Sequence, residues 1–135
     1  MDKKRSDCPI SCSLEVFGDK WSLLIIRDIM LRGKVSYSEF LTSEEKIASN
    51  ILVNRLTVLE AENIVIKEVS PANKSKFVYS LTQKGVDLLP IVIEFMDWGA
   101  KYNRNCPRKE LGKKIKKDKA AVIKELSQSL KTKVK

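Results

Sequence analysis

The segment from residue 48 to residue 85 constrains the fold of this chain more than any other part. Apolar residues at helical spacing predict a helix over 48–62. Two stretches rich in β-branched and aromatic residues, 64–70 and 77–81, predict the strands of a hairpin. The polar sequence 71–76 between them is typical of a turn. A helix that runs directly into a hairpin is therefore the central unit of the fold.

Shorter predicted helices precede this unit. The pattern predicts helices over 9–17 and 20–31, which end at Gly18 and Gly33, and a short helix over 36–42. A polar turn then leads into the helix at residue 48. This order predicts a mainly α fold with a small β-hairpin wing, a winged helix-turn-helix, which places one helix in the DNA major groove and one loop beside it.

Positive charge is concentrated at the carboxyl end of the chain. The 135 residues include 26 Lys and Arg and 17 Asp and Glu, a net charge of +9. Residues 108–135 carry +8 of this charge, and residues 1–107 carry +1. We therefore predict a winged-helix domain with dimerisation helices, 1–107, and a basic extension, 108–135. Apolar spacing in the extension fits a helix that docks on the dimer, while its lysines fit a solvated arm.

The composition argues against several classes of protein. No apolar run approaches the about 20 residues of a membrane-spanning helix, and no signal-peptide core follows the basic amino terminus, so we expect a cytoplasmic protein that does not bind membranes. The chain has no histidine and three cysteines, Cys8, Cys12 and Cys106, which argues against a disulfide framework and a metal site. Without a catalytic constellation or a cofactor motif, we expect neither an enzyme nor a cofactor.

The helix over 48–62 has two unlike faces. Leucines occupy the side predicted to pack on the helix over 20–31, the central helix of the fold, and small polar residues occupy the other side. Asn50 and Asn54 lie on the polar side, where an amide can bond to adenine N6 and N7 in the major groove. Taken alone, these residues also fit solvated positions on an amphipathic helix. The residues predicted to contact DNA are Lys46, Ser49, Asn50, Asn54, Arg55, Thr57, Lys74 and Lys76.

Arg55 has a second role open to it. The residue falls at the edge of the leucine face, where it would pair with a carboxylate such as Asp28 or Glu60 and hold the motif together. A phosphate contact is the alternative.

A run of large apolar residues follows Thr82, which is placed to cap another helix. Pro90 lies inside this run and should kink or restart the helix. The run holds more apolar surface than one small domain covers, which indicates an interface. We predict dimerisation through Leu88, Ile91, Val92, Phe95, Trp98 and Tyr102. Part of this stripe would also fit a ligand pocket between dimer helices, although packing explains it more simply.

Cys8 precedes the first predicted helix, with Pro9 at the first helical position. The helix dipole and the nearby Lys3, Lys4 and Arg5 would favour the thiolate, as in a redox or electrophile sensor. A small buried residue in a dimer contact is the alternative.

Several motifs together resemble the HxlR-type regulators of bacteria and archaea over residues 8–102. The matching motifs are Cys8-Pro-Ile, Phe17-Gly-Asp-Lys-Trp-Ser-Leu-Leu-Ile-Ile-Arg-Asp28, Tyr37-Ser-Glu-Phe-Leu41, Lys46-Ile-Ala-Ser-Asn-Ile-Leu-Val-Asn-Arg-Leu56, Leu59-Glu-Ala-Glu-Asn-Ile-Val65, Tyr79-Ser-Leu-Thr-Gln-Lys-Gly85 and Trp98-Gly99.

This resemblance implies a homodimeric, MarR-like transcription factor with a recognition helix over 48–62 and a wing over 71–76. We therefore expect sequence-specific binding of double-stranded DNA at a pseudo-palindromic operator, with an inducer of unknown identity. A winged-helix module that docks on a protein, with a basic tail that binds nucleic acid non-specifically, is the alternative function.

Overall fold

The computed structural model describes residues 4–134. The elements follow one another along the chain in this order: α1 Pro9–Phe17, α2 Ser22–Arg32, α3 Tyr37–Phe40, α4 Ser49–Ala61, β1 Val65–Val69, β2 Phe77–Leu81, α5 Gln83–Val86, α6 Leu89–Tyr102, α7 Glu110–Lys117 and α8 Lys119–Lys131. This mainly helical architecture with one hairpin confirms the predicted fold class.

Helix α2 lies at the centre of the core. Its side chains Ile25, Ile26 and Met30 are all buried, as expected for a helix that is apolar on most sides. The helix ends at Gly33, whose φ of 64° is the left-handed conformation that glycine adopts without strain. The leucines of α4, Leu52, Leu56 and Leu59, pack into the same core.

The two strands form an antiparallel pair in which Val65 lies opposite Leu81 and Val69 opposite Phe77. Asn63, with φ 59°, turns the chain from α4 into β1. The chain before α3 also joins the sheet, since the Tyr79 backbone N–H donates to the Val35 carbonyl at 2.8 Å. The hairpin is thus anchored on both sides of β2.

Pro90 marks the restart predicted from the sequence. The hydroxyl of Thr82 accepts a hydrogen bond from the Gly85 backbone N–H at 3.1 Å and caps the short helix α5. Helix α6 then begins at Leu89, with Pro90 in its first turn, where a missing backbone N–H costs no hydrogen bond.

The extension packs on its own chain. Helices α7 and α8 contribute the buried side chains Ile115, Val122 and Leu130 to the core, with exposed fractions of 1%, 8% and 7%. Packing on the chain's own core therefore accounts for its apolar spacing, in place of a helix docked on the dimer or a solvated arm. Within residues 4–134, every helix is too short or too polar to cross a bilayer.

Candidate nucleic-acid interface

Helix α4 turns its polar side outward. Asn50, Asn54 and Thr57 are exposed, and Val53 beside them is 51% exposed. The Thr57 hydroxyl donates to the Val53 carbonyl at 2.8 Å and keeps its lone pairs free for a donor. The leucines on the opposite side anchor the helix in the core, so this surface is presented on a rigid support.

The amino end of α4 lacks a side-chain cap. Ala48 is the cap residue, and no side chain bonds to the first-turn N–H groups. Ser49 is the first helical residue. Lys46 is exposed in the preceding turn with φ 57°. First-turn N–H groups and a nearby lysine together favour an anion at this end.

Arg55 pairs with Asp19, and its expected pairing with Asp28 or Glu60 is wrong. Its Nη1 lies 2.9 Å from Asp19 Oδ1, because Arg55 points toward the start of α2. Its Nε also donates to Asn54 Oδ1 at 3.2 Å. An amide oxygen has two lone pairs, so Asn54 keeps one acceptor position and both N–H donors for a base.

Asp28 is buried and belongs to another ion cluster. Arg27 Nη2 lies 2.7 Å from Asp28 Oδ1, and the Ser43 hydroxyl donates to the same carboxylate. Arg27 also binds Glu45 through two hydrogen bonds, of 2.8 and 2.9 Å. The guanidinium group lowers the pKa of Glu45 to about 2. This cluster joins α2 to the turn that leads into α4 and fixes where α4 begins.

The wing loop, residues 70–76, is held by its own hydrogen bonds. The Ser70 backbone N–H donates to the Lys76 carbonyl at 2.8 Å, and Asn73 Oδ1 accepts from the Ser75 N–H at 3.0 Å. Lys74 and Lys76 are exposed on this loop. Both amines are therefore free to reach a phosphate.

A cleft of about 390 Å³ separates α4 from the wing. We call it the wing cleft. Most of the residues that line it were not predicted from the sequence, because they come from separate segments and share no motif. Hydroxyl groups, amines, one carboxylate and apolar groups share its walls: Ser36, Tyr37, Ser38, Val53, Leu56, Thr57, Glu60, Lys67, Ser75, Lys76, Phe77 and Tyr79.

The large apolar run divides between core and surface. Leu88 and Val92 are buried in the chain's own core at 8% and 5% exposure, so neither contributes an exposed dimer contact. Val92 follows Ile91 by one residue, a rotation of about 100° that carries it to the core side. The exposed residues recur at intervals of four, three and four and form what we call the aromatic stripe: Ile91, Phe95, Trp98 and Tyr102.

Cys8 is exposed at the start of α1. Hydrogen bonds from the backbone N–H groups of Ser11 and Ile10 lower the pKa of its thiol. The chain itself leaves Cys8 exposed, and its burial in a dimer contact stays a prediction. Cys12 lies one turn further, partly buried, and its thiol donates to the Ser6 carbonyl at 3.5 Å.

An exposed polar helix beside a basic hairpin, carried on a rigid helical core, defines a winged helix-turn-helix regulator. The chain belongs to the HxlR-like helix-turn-helix family, whose pattern matches residues 16–107. Recognition of this family from sequence motifs is therefore confirmed.

Known proteins support this assignment. The HTH-type transcriptional regulator YdeP of Bacillus subtilis is 31% identical over 107 residues, which cover 79% of this chain and 83% of that protein. A MarR-family transcriptional regulator from Porphyromonas gingivalis W83 matches with a TM-score of 0.64 and 28% identity, over 76% of this chain and 99% of that one. The oxidised redox regulator HypR matches with a TM-score of 0.63 and 35% identity, over 71% and 98%. The chain is accordingly a MarR-like transcriptional regulator and not an enzyme.

Proposed function

We propose that this regulator binds a pseudo-palindromic operator as a homodimer, with one α4 helix in each of two successive major grooves. The observation that carries the proposal is the exposed amide surface of α4 beside the wing. Asn50 and Asn54 lie one turn apart on it, which matches the reach of one helix along neighbouring base pairs. Each amide offers the donor and acceptor pair that reads adenine.

The wing cleft fits the path of a DNA backbone. A helix in the major groove and a wing in the adjacent minor groove must have one sugar-phosphate strand between them. The hydroxyl groups of Ser38 and Thr57 and the amines of Lys67 and Lys76 line this space. These groups position the duplex without reading its sequence, and Lys74 and Lys46 extend the same contact.

The aromatic stripe supplies the dimer contact in this proposal. Phe95, Trp98 and Tyr102 are 66%, 68% and 64% exposed, and Trp98 packs on Tyr102 with ring centroids 5.5 Å apart. Ile10 and Leu14 of α1 add further exposed apolar surface, at 72% and 48%. For two α4 helices to enter successive major grooves, this contact must hold them about 34 Å apart.

Competition between two DNA duplexes tests the proposal. Wild-type protein is titrated against its own upstream DNA and against random DNA of equal length across a salt series. We expect a preference of about 10³ or more at near-physiological salt. Asn50→Ala/Asn54→Ala should abolish most of this preference, while Gln128→Ala on α8 serves as the matched control. Equal binding of both duplexes, fading steeply with salt, would support the protein-docking module with a non-specific basic tail instead.

We further propose Cys8 as the residue through which an oxidant or electrophile controls DNA binding. Its exposure and its lowered pKa favour a reactive thiolate, and a matching structure is named a redox regulator. Alkylation of Cys8 in a Cys12→Ser/Cys106→Ser background should change operator affinity. Unchanged affinity after complete alkylation would exclude this role.

A further inference from the structure

The extension is a folded surface with one apolar and one basic side. Ile115 is 1% exposed and holds α7 against the core. The lysines of α7, at 113, 114, 116 and 117, occupy the half of the helix turned away from Ile115. The extension is therefore a folded surface that presents its lysines to solvent, and not an unstructured basic tail.

Ion pairs fix the start of α8 against α6. Lys119 Nζ lies 2.7 Å from both Glu94 Oε1 and Asp97 Oδ2, and Arg108 Nη2 lies 2.8 Å from Asp97 Oδ1. The carboxylates of α6 neutralise these two cations, so Lys119 and Arg108 add no net positive charge to the surface. Within residues 4–134, the other lysines of the extension are exposed and have no carboxylate within 4.0 Å: Lys109, Lys113, Lys114, Lys116, Lys117, Lys124, Lys131 and Lys133.

The far end of α8 reaches the wing sheet. Leu130, 7% exposed, and Lys133 line a small cavity with Val35, Tyr79 and Ser80. Helix α8 has 13 residues and is therefore about 20 Å long at 1.5 Å per residue. It thus runs from the α6 ion pairs to the sheet that carries the wing.

A short stretch of strand separates this end from the wing loop. Lys76 precedes Tyr79 by three residues along the chain, a distance of about 10 Å in a strand. Lys133, and Lys131 two residues before it, therefore lie near the sheet that carries the wing, whereas α7 joins the opposite end of α8 and packs against α6.

We propose that the carboxyl end of α8 is a second DNA-contact surface, in which Lys131 and Lys133 bind backbone phosphates beyond those reached by the wing. This inference rests on the proposed DNA binding by α4 and the wing, and it extends the footprint outward on each side of the operator. It uses residues outside the family match, which ends at residue 107. Both contacts are with phosphates and add affinity without sequence preference.

The structure favours DNA as the partner because the surface adjoins the wing. An acidic protein that does not contact the wing would bind more strongly to α7, where the lysines are more closely spaced. The chain outside the extension carries only +1, so most of the net positive charge that attracts a duplex lies in 108–135. Positive charge beside the wing attracts the phosphates of a duplex to the surface that the wing and α4 contact.

Charge substitutions test the proposal without disturbing the fold. Deletion of 108–135 is unsuitable, because it removes the buried side chains Ile115, Val122 and Leu130. Lys131→Gln/Lys133→Gln is compared with Lys113→Gln/Lys117→Gln, which has the same net charge. All four lysines are exposed, and thermal unfolding confirms that both variants stay folded. Binding is measured against salt on a duplex enriched from a random library by the wild-type protein and on random DNA of equal length.

The α8 variant should flatten the log–log salt dependence of dimer binding by about 3.6, since the dimer loses four phosphate contacts and each contributes about 0.9. The loss should be equal on both duplexes, and the α7 variant should keep the wild-type slope. An unchanged slope for the α8 variant, or an equal change for both variants, would overturn the proposal. If the wild-type protein shows no sequence preference, only the proposed operator binding is contradicted. The salt slopes of the two variants on random DNA still decide whether α8 contacts DNA.

Discussion

Arg55 of the recognition helix and Asp19 at the start of α2 form an ion pair, with Nη1 2.9 Å from Oδ1. Asp19 also caps α2, since its Oδ2 accepts from the backbone N–H groups of Trp21 and Ser22, both at 2.9 Å. Burial raises the pKa of Asp19, but hydrogen bonds from Ser22, Trp21 and Arg55 outweigh it and lower the pKa. One carboxylate therefore starts the central helix and holds the recognition helix against it.

Removal of this pair should destabilise the fold more than it weakens phosphate binding. Asp19→Ala loses both the cap and the pair, and we expect a loss of about 1–3 kcal/mol in the free energy of unfolding. Arg55→Gln should cost less, and the double variant should show a coupling of about 0.5 kcal/mol or more by urea unfolding. If Arg55 bound a phosphate instead, Arg55→Gln would flatten the salt dependence of dimer binding by about 1.8, about 0.9 for each of its two copies, with no coupling to Asp19.

The Arg27–Glu45 pair should make stability depend on acid pH. The pKa of Glu45 is about 2 in the folded protein, below its ordinary value of 4.5. A lowered pKa stabilises the fold above pH 4.5 and loses that contribution as the pH falls toward 2. Glu45→Gln should therefore lower the thermal midpoint near neutral pH and flatten its decline between pH 4.5 and 2.

Glu44→Gln is the control for this experiment. Glu44 is 68% exposed and pairs with Arg32 at 3.1 Å on the surface, where an ion pair contributes little. A decline with pH that is the same in Glu45→Gln and wild type would exclude the Arg27 pair as its cause.

Local patterns in the sequence were sufficient for the hairpin and for most helix ends. Asn63 adopts the left-handed conformation, and Gly33 and Pro90 mark boundaries where expected, because each acts through its own backbone. The partner of Arg55 was missed, since Asp19 lies 36 residues away and only the packing of α4 on α2 brings them together.

The dimer residues show the same limit of sequence reasoning. An apolar run reveals that a helix is buried somewhere but leaves open which side meets the core. Leu88 and Val92 turned inward and Phe95 outward only because α6 docks against α2 and the extension. In the extension, the apolar residues are widely spaced among lysines, so the sequence alone did not show that it packs into the core.

The extension should contribute to the stability of the whole domain. Ile115 and Leu130 are 1% and 7% exposed in the common core, and removal of such side chains to alanine costs about 2–5 kcal/mol. Ile115→Ala should therefore lower the free energy of urea unfolding in a single transition that includes the winged helix. Val53→Ala, at a helical site that is 51% exposed and outside the proposed dimer contact, is the control. A separate early transition for Ile115→Ala would show that the extension folds independently.

The aromatic stripe should govern self-association. Trp98→Glu places a charge in the proposed contact, and loss of a central tryptophan costs about 2 kcal/mol or more, at least about thirtyfold in the dimer dissociation constant. Sedimentation equilibrium should show monomer for this variant at concentrations where the wild type is dimeric. Val69→Glu, at another exposed apolar site with 52% exposure, should stay dimeric. Equal dissociation in both variants, or a monomeric wild type, would count against the stripe as the interface.

The helix that follows Cys8 should make its thiol ionise below the ordinary pKa of 9.0, because the N–H groups of Ser11 and Ile10 bind the thiolate. In a Cys12→Ser/Cys106→Ser protein, the rate of iodoacetamide alkylation against pH should have its midpoint below 9.0. A peptide of residues 6–12, in which Cys12 is replaced by Ser, is too short for a stable helix and should react with the ordinary midpoint. Equal midpoints for protein and peptide would show that the helix does not activate the thiol. A lower midpoint only in the protein would mean that the helix activates the Cys8 thiol, as a sensing role requires.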